Sequence, residues 1–356
     1  MKVRVIRGAD LTDDLAARWS LWQRQDASLA SPYFRPEFTR AAACFFRGTK
    51  VGVMEEAGEV VGFLPFQQGW GGAGRPAGGD LSDYQGAIVR PGLKWDVREV
   101  VRKCGISSLE YDYAVASQIA FAPYHTQLMP SHIVDLRGGH DQYRAQHRNR
   151  RLKELSRKLQ REVGEIRFEL RSSNGAAMQR LFEIKRQQYA RTGRPDVLEP
   201  RHVRQFLEHL LQLRSDEFEG MLSVLYAGER MVAAHLGMRS KEVWHWWFPA
   251  YELAWASYCP GLLLLQHMID AAPEVGAGMI DLGYGDEPYK VRAANHQVMV
   301  ARTVVGRSWP ASCRRWVRQA KASVVGTALE TPARLLYRGV ALCLGRRPAQ
   351  PSEEAV

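Results

Sequence analysis

The sequence predicts an α/β (α+β) fold of two related lobes followed by a C-terminal helical tail, and three observations carry that reading. Alternating apolar strands and amphipathic helices recur from the first residues to about 305. An order of two helices followed by a strand hairpin occurs twice. The stretch 309–345 then changes to helical periodicity rich in arginine. A length of 356 residues suits two domains at roughly 150 residues each. With 46% hydrophobic and 24% charged residues, the chain is globular rather than disordered. No apolar run approaches the roughly 20 residues of a membrane span. The opening MKVRVIRGAD alternates like a strand and has no signal-type apolar core, so the expected location is the cytoplasm. Five widely spaced cysteines predict neither a disulfide framework nor a clustered metal site.

In the first lobe, 2–7 reads as a strand, and Thr12 or Asp13 caps a helix on which Leu15, Trp19 and Trp22 recur at helical spacing. Pro32 and Pro36 bracket a turn in SPYFRPEF, and a second helix runs to about Phe46. Segments 51–54 and 60–66 form a hairpin across EAGE. The glycine-rich 69–79 is a loop, 94–104 a helix, and strands are expected near 107–111, 118–121 and 132–136.

The second lobe opens with one amphipathic helix over 143–162, its apolar stripe formed by Leu152, Leu155 and Leu159. A strand EIRFELR, helices at 176–191 and 200–213, a hairpin over 221–238 and a strand VWHWWFPAY follow. Ala57-Gly58-Glu59 aligns with Ala227-Gly228-Glu229 in this repeated order. The division is therefore 1–140, 141–308 and a basic tail, 309–356.

The net charge of +11 is unevenly placed. Residues 144–161 carry eight Arg or Lys against one acid, and 302–347 carry ten against one. Trp309, Trp316 and Leu335 among the tail arginines suit peripheral contact of 309–345 with an anionic membrane, or docking on protein, including a second copy of the chain. Neither patch has a zinc-finger spacing or an RNA-binding aromatic signature, so nucleic acid is not an expected partner.

Chemistry concentrates in the second lobe. In strand 231–238, His235 lies with Ala233 and Gly237 opposite Val232, Ala234, Leu236 and Met238, leaving room beside an imidazole that can act as a base. In the next strand Trp244, Trp246 and Phe248 share one face, with His245 and Trp247 on the other, Trp247 being a candidate pocket wall. Tyr251 can donate a hydrogen bond to a developing anion. Cys259, Pro260, Gly261 and Leu262 begin an apolar helix whose open amides suit a phosphate or pyrophosphate. The absence of GxGxxG and GxxxxGKS excludes a standard dinucleotide or P-loop site. Finally MIDLGYGDEPYK sets Asp281 on an apolar strand and crowds Tyr284, Asp286, Tyr289 and Lys290 around its exit.

These segments resemble the BioF2-like, or CelD-like, acetyltransferases of the GNAT superfamily. The resemblance rests on SPYFRPEF (31–38), GGDLSDYQGAIVRPG (78–92), RRLKELSRKLQR (150–161), AGERMVAAHLGM (227–238), YCPGLLLLQHMIDAA (258–272) and IDLGYGDEPYK (280–290). It implies tandem GNAT-like lobes with mixed central sheets, a relationship to FemAB-type peptidyltransferases, and N-acyl transfer from acetyl-CoA or another acyl-CoA with no metal. The implied acceptor is a small-molecule or glycan-precursor amine, such as an amino sugar or an envelope or exopolysaccharide precursor. An aminoacyl-tRNA-dependent transferase and a non-catalytic scaffold are the alternatives. Carried over by position, 255–261 with the following helix take the place of the acyl-CoA pyrophosphate loop, so Cys259, Pro260, Gly261 and Leu262 hold the donor, with Cys259 where the family commonly has serine. His235 takes the base position, with Asp281 to orient it or the amine. Apart from the resemblance, the chemistry of thioester aminolysis assigns strand amides or Tyr251 to the oxyanion and Tyr284 or Tyr289 to the thiolate, with Trp247, Asp286, Tyr289 and Lys290 left for the acceptor.

Overall fold

The computed structural model describes residues 1–306, and Met1–Val305 forms one compact unit. The helices and membrane contact expected for 309–345 lie outside the described residues. The first half contains β1 (Lys2–Arg7), α1 (Asp13–Gln25), α2 (Pro36–Phe45), β2 (Thr49–Glu56), β3 (Glu59–Gln68), β4 (Ala73–Arg75), β5 (Ile88–Val89), α3 (Val97–Lys103), β6 (Ser108–Val115) and β7 (His125–Asp135). The second contains α4 (His140–Gln146), α5 (Arg150–Glu162), β8 (Ile166–Glu169), α6 (Gly175–Thr192), α7 (Arg201–Leu210), β9 (Phe218–Ala227), β10 (Arg230–Ser240), β11 (Val243–Tyr251), α8 (Pro260–Ala271), β12 (Met279–Tyr284), α9 (Pro288–Ala293) and β13 (His296–Val305).

Local chemistry explains the boundaries. Thr12 caps α1 by accepting the Leu15 N–H at 3.4 Å. Asn174 caps α6, whose end is closed by Gly193 at φ +64°. The basic segment expected as a single helix over 143–162 is two helices, because Asn149 adopts extended backbone and its side chain accepts the Leu152 N–H at 2.9 Å. Residues 118–121 are not a strand; Ile119–Tyr124 forms a tight 3-10 turn containing Pro123.

The strands form one mixed sheet in the order β1-β2-β3-β4-β6-β13-β7-β12-β11-β10-β9-β8, with β5 beside β3. Its two ends repeat each other. Three antiparallel pairings, β1 to β4, match those from β8 to β11. Each run ends in a parallel pair, β4 with β6 and β11 with β12. A helix, α3 or α8, connects the two strands of each parallel region. The duplicated order read from sequence is therefore present. The AGE triplets, however, sit one residue out of step: the first hairpin turns at Ala57-Gly58 and the second at Gly228-Glu229.

The halves exchange strands at the centre. β7, from the first half, lies between β12 and β13, while β13 lies between β6 and β7. Each half's array is thus completed by a strand of the other. Helices cover both faces. α1, α2, α6 and α7 share one core, in which Trp19, Phe34 and Phe38 join Phe182, Phe206 and Met238. On the other face, α5 and α8 close a second core with Trp244, Trp246 and Ile280, and α3 closes a third. The shared core is bridged by Phe38 against Phe206 at 5.7 Å and by buried Arg35, which donates to Glu217 at 2.9 Å.

Candidate active site

β11 and β12 pair in parallel at Val243–Met279, Trp244–Ile280 and His245–Asp281, and their pairing stops there. β11 continues to Tyr251 and β12 to Tyr284. The strands thus splay, and His245 and Asp281 stand at the apex.

A bulge shapes this region. Leu236 pairs with Phe248 but Met238 pairs with His245, so β11 carries an extra residue at Trp246–Trp247 opposite Gly237. A Cβ on Gly237 would come within 2.4 Å of the His245 carbonyl, so only glycine fits. The bulge frees the Trp247 N–H, and His235 Nε2 accepts it at 3.1 Å. It also moves Phe248 onto the Trp247 side, into the core shared with α6, whereas simple alternation placed it with Trp246.

His235 is accordingly not in a cleft. It is fully buried and stacks on Trp246 at 4.9 Å, on the face that carries Trp244, Ile280 and Leu282. Burial lowers its pKa to about 3, and neighbouring His245 adds to the effect. A neutral imidazole already accepting a backbone N–H has neither access nor basicity for proton abstraction. Small neighbours at 233 and 237 serve strand approach rather than a ligand.

The imidazole at the splay is His245. It is also fully buried, with Nε2 3.0 Å from Asp83 Oδ2 and Nδ1 3.8 Å from Asp281 Oδ1. The first is a hydrogen bond, and the second is a coulombic contact longer than one. Burial alone would depress the His245 pKa, but the two carboxylates outweigh it and lift it to about 9. Asp281 Oδ1 also accepts the Gly283 N–H at 2.8 Å, which satisfies an acid on an otherwise apolar strand. Gly283 has φ +73°, and a Cβ there would lie 3.6 Å from His245 Cε1 and 4.0 Å from Asp83 Oδ2.

The first half closes the cluster. Tyr33 stands edge-on to His245 at 5.1 Å and to Trp247 at 5.6 Å. Tyr84 stands edge-on to His245 at 6.2 Å, its hydroxyl donating to Ser131 of β7 at 2.7 Å. Burial, then the charges of Asp83 and Asp281, keep both phenols protonated. Asp83 is one-third exposed and is the member of the acid–imidazole–acid series that reaches solvent. Sequence reasoning placed His245 beside Trp247 without a chemical role and omitted Asp83, Tyr33 and Tyr84. The available signal lay in SPYFRPEF and GGDLSDYQG, whose polar residues have no partner visible in sequence.

Other expected site residues divide into groups. Trp247 does line the His245 side. Tyr284 is exposed at the end of β12, its ring 5.3 Å from Tyr113 of the first half. Tyr251 lies six residues along β11 from His245, roughly 20 Å at strand rise, so it cannot share a reacting carbonyl with Asp281. It instead approaches the α8 start, where a Cβ on Gly261 would touch its ring at 3.4 Å. Tyr289 accepts from Trp246 Nε1 at 3.2 Å in the α8-side core. Lys290 is buried and committed to the Tyr284 carbonyl at 2.7 Å and Glu287 at 3.2 Å, so its charge is already met. Asp286 is exposed on the same turn.

At the α8 start Cys259 adopts the left-handed conformation, φ 54°, and makes no side-chain cap. Pro260 has no N–H, and the amides of Leu262 and Leu263 turn back to the Cys259 carbonyl at 3.0 and 3.1 Å. Of the expected phosphate-binding amides only that of Gly261 stays open. Exposed Lys158 of α5 stands nearby, 5.6 Å from the centre of the Tyr258 ring. Among the described residues, no cluster of metal-binding side chains occurs.

Comparison with known proteins agrees with this architecture. Residues 145–291 match the family model described as an acetyltransferase (GNAT) domain. No curated protein matches the sequence. Among solved structures the chain is similar to FemX, with a TM-score of 0.57 at 9% identity, over 88% of this chain and 99% of that one. It is also similar to L-PGS from Bacillus licheniformis, with a TM-score of 0.52 at 10% identity, over 83% and 94%. A conserved protein of unknown function from Bacteroides thetaiotaomicron gives 0.51 at 10% identity, over 85% and 99%. At these identities the likeness is one of fold: the chain has a GNAT-superfamily fold in tandem form. Among the described residues, no helix is long and apolar enough to cross a membrane.

Proposed function

We propose that the protein is a BioF2-like N-acyltransferase that moves an acetyl or other acyl group from acyl-CoA to an amine, at the junction of its two halves. The observation that carries this reading is His245 held between Asp83 and Asp281 at the apex of the β11–β12 splay. The β11 edge beyond His245 has no β12 partner, so its amides and carbonyls suit the amide-bearing arm of the donor. The Gly261 N–H and Lys158 of α5 suit the donor's phosphates. The resemblance suggests an amino sugar or another envelope precursor as the acceptor class.

In the reaction the amine nitrogen bonds to the thioester carbonyl carbon, the C–S bond breaks, and the CoA thiolate leaves. Asp83 is the solvent-reaching carboxylate at the apex, and it accepts the proton lost by nitrogen. His245, charged at neutral pH, holds and orients Asp83, and Asp281 compensates the buried imidazolium from behind. Exposed Tyr284, at the end of β12, is the proton donor to the thiolate in this reading.

The test is thiol release from acetyl-CoA against a panel of amines, with the parent and Asp83→Asn. The variant is expected to lose roughly 10²-fold or more in kcat while binding acetyl-CoA within twofold of the parent. Full turnover in folded Asp83→Asn removes Asp83 from the mechanism.

A further inference from the structure

Lys185 is a buried cation that neither the fold nor the reaction above uses. It lies on the sheet-facing side of α6, 8% exposed, among Leu181, Phe182 and Ile184 of the shared core. Its ammonium donates to Gln188 Oε1 at 3.0 Å and stands 5.3 Å from the centre of the Tyr189 ring. Both partners are neutral. Burial depresses its pKa to about 8, and the charges that add to the effect, Arg194 and Lys290, are both positive. A buried ammonium costs several kcal/mol unless an anion or comparable donor set compensates it. A structural lysine would sit against a carboxylate, as Arg35 does against Glu217.

The surroundings place this group at the proposed site. Tyr189, which carries the ammonium on its ring, lies within the field of Asp83. It packs on the same core as Tyr33 and Trp247, the two rings beside His245. Arg194 and Lys290 both act on Glu287, the acid on the turn that follows β12. Gln188, the hydrogen-bond partner of Lys185, lines an open cleft with Gln187, Arg191, Tyr251 and Glu252. The acids at this solvent-reaching edge already have partners: Glu252 of the same cleft accepts from Arg180 at 2.9 Å, and Glu287 is paired with Lys290 at 3.2 Å.

We propose that the acceptor is an amine bearing a carboxylate or phosphate, and that Lys185 binds this anionic group. This rests on the acyl-transfer reading, since the anion would orient the acceptor nitrogen toward Asp83. Lys185 is a binding residue for the acceptor and takes no part in proton transfer.

The experiment compares the parent with Lys185→Met, which keeps the length and loses the charge, and Lys185→Arg, which keeps it. Matched acceptors are used: an amino acid and its amide, and an amino sugar with and without its phosphate. The parent should favour one anionic member of a pair at least tenfold in kcat/KM; which pair shows the effect identifies carboxylate or phosphate. Lys185→Met should raise KM for that acceptor at least tenfold, with kcat within threefold and KM for the neutral analogue and for acetyl-CoA unchanged. Lys185→Arg should recover part of the loss. Equal use of charged and neutral acceptors by the parent overturns the inference and leaves acyl transfer standing. A rise in KM for acetyl-CoA in place of the acceptor also overturns it, because the anion would then belong to the donor. Separately, acetate and inorganic phosphate are titrated into parent and Lys185→Met at matched ionic strength while Tm is followed. A rise in Tm confined to the parent supports the anion site even if no amine is acylated, and no difference between the two proteins counts against it. Should Lys185→Met fail to fold, the Tm response of Lys185→Gln decides in the same way.

Discussion

Replacing Asp83 by Asn tests the electrostatic core of the site, because it removes one charge and leaves the side-chain shape. His245 Nε2 is 3.0 Å from that carboxylate, whereas Asp281 is 3.8 Å from Nδ1. An opposite charge at such a distance is worth about 1–3 pKa units. Asp83 is one-third exposed, and solvent screening places the effect toward the lower half of that range, about 1–2 units. His245 should therefore titrate near 7–8 in the variant, down from about 9 in the parent. The linkage has a definite sign. A folded pKa above the unfolded value of about 6.5 stabilises the parent fully below pH 6.5, and the gain is lost as pH rises through 9. The whole effect is roughly 3 kcal/mol. Asp83→Asn should shrink the stability loss between pH 6.5 and 9 by about 1.4 kcal/mol per unit of restored pKa. Imidazole NMR titration reads the pKa, and urea unfolding across the same pH range reads the stability. An unchanged His245 titration in a folded Asp83→Asn protein would refute the coupling and, with it, the role of the acid–imidazole–acid series.

Three further outcomes follow from the packing. His235→Ala should destabilise the protein by roughly 2–4 kcal/mol, since the Trp247 N–H loses its acceptor and Trp246 its stacking partner; urea midpoints measure this, and the pH dependence of turnover in the folded variant should stay that of the parent. Gly237→Ala should cost about 1–3 kcal/mol or prevent folding, because the added Cβ meets the His245 carbonyl at 2.4 Å; a circular-dichroism melt matching the parent would contradict the bulge geometry. Fragments 1–140 and 141–306 should each fail to fold alone and should recover native circular dichroism when co-expressed, since β7 and β13 complete each other's sheets; a stable, monomeric isolated fragment would count against the exchange.

Much of the architecture was legible in sequence because it depends on local periodicity. The two-helix and hairpin order, the α8 start at Pro260 and the strand around Asp281 are each set by residues within a few positions of one another. Inheritance of the same grammar by both halves allowed the duplication to be recognised even though the AGE triplets themselves are displaced by one residue. The interruption at Asn149 went unread, because the basic stripe and the Leu152, Leu155 and Leu159 spacing read as one continuous helix.

The site was legible only in part. Asp281 was recognised because an acid on an apolar strand demands a partner, and Trp247 was offered as a pocket wall on the side of His245, where it lies. The histidine was chosen by strict alternation along β10 and β11, and one extra residue at Trp246–Trp247 defeats that rule: it sets His235 into the strand junction as an acceptor for backbone and leaves His245 at the splay. A bulge is a register event between two strands, so neither strand's sequence alone announces it. Asp83 is 162 residues from His245 in the chain, and nothing local to GGDLSDYQG marks it as a partner.

The sequence by itself determined the tandem α/β plan, the basic stripes and the polar segments from which a site can be built, since these follow from side-chain pattern and short-range backbone preference. Only the tertiary structure decided which histidine carries the charge. Its protonation depends on two carboxylates converging on one buried imidazole from opposite halves, and such convergence exists only after the halves have joined through β7 and β13.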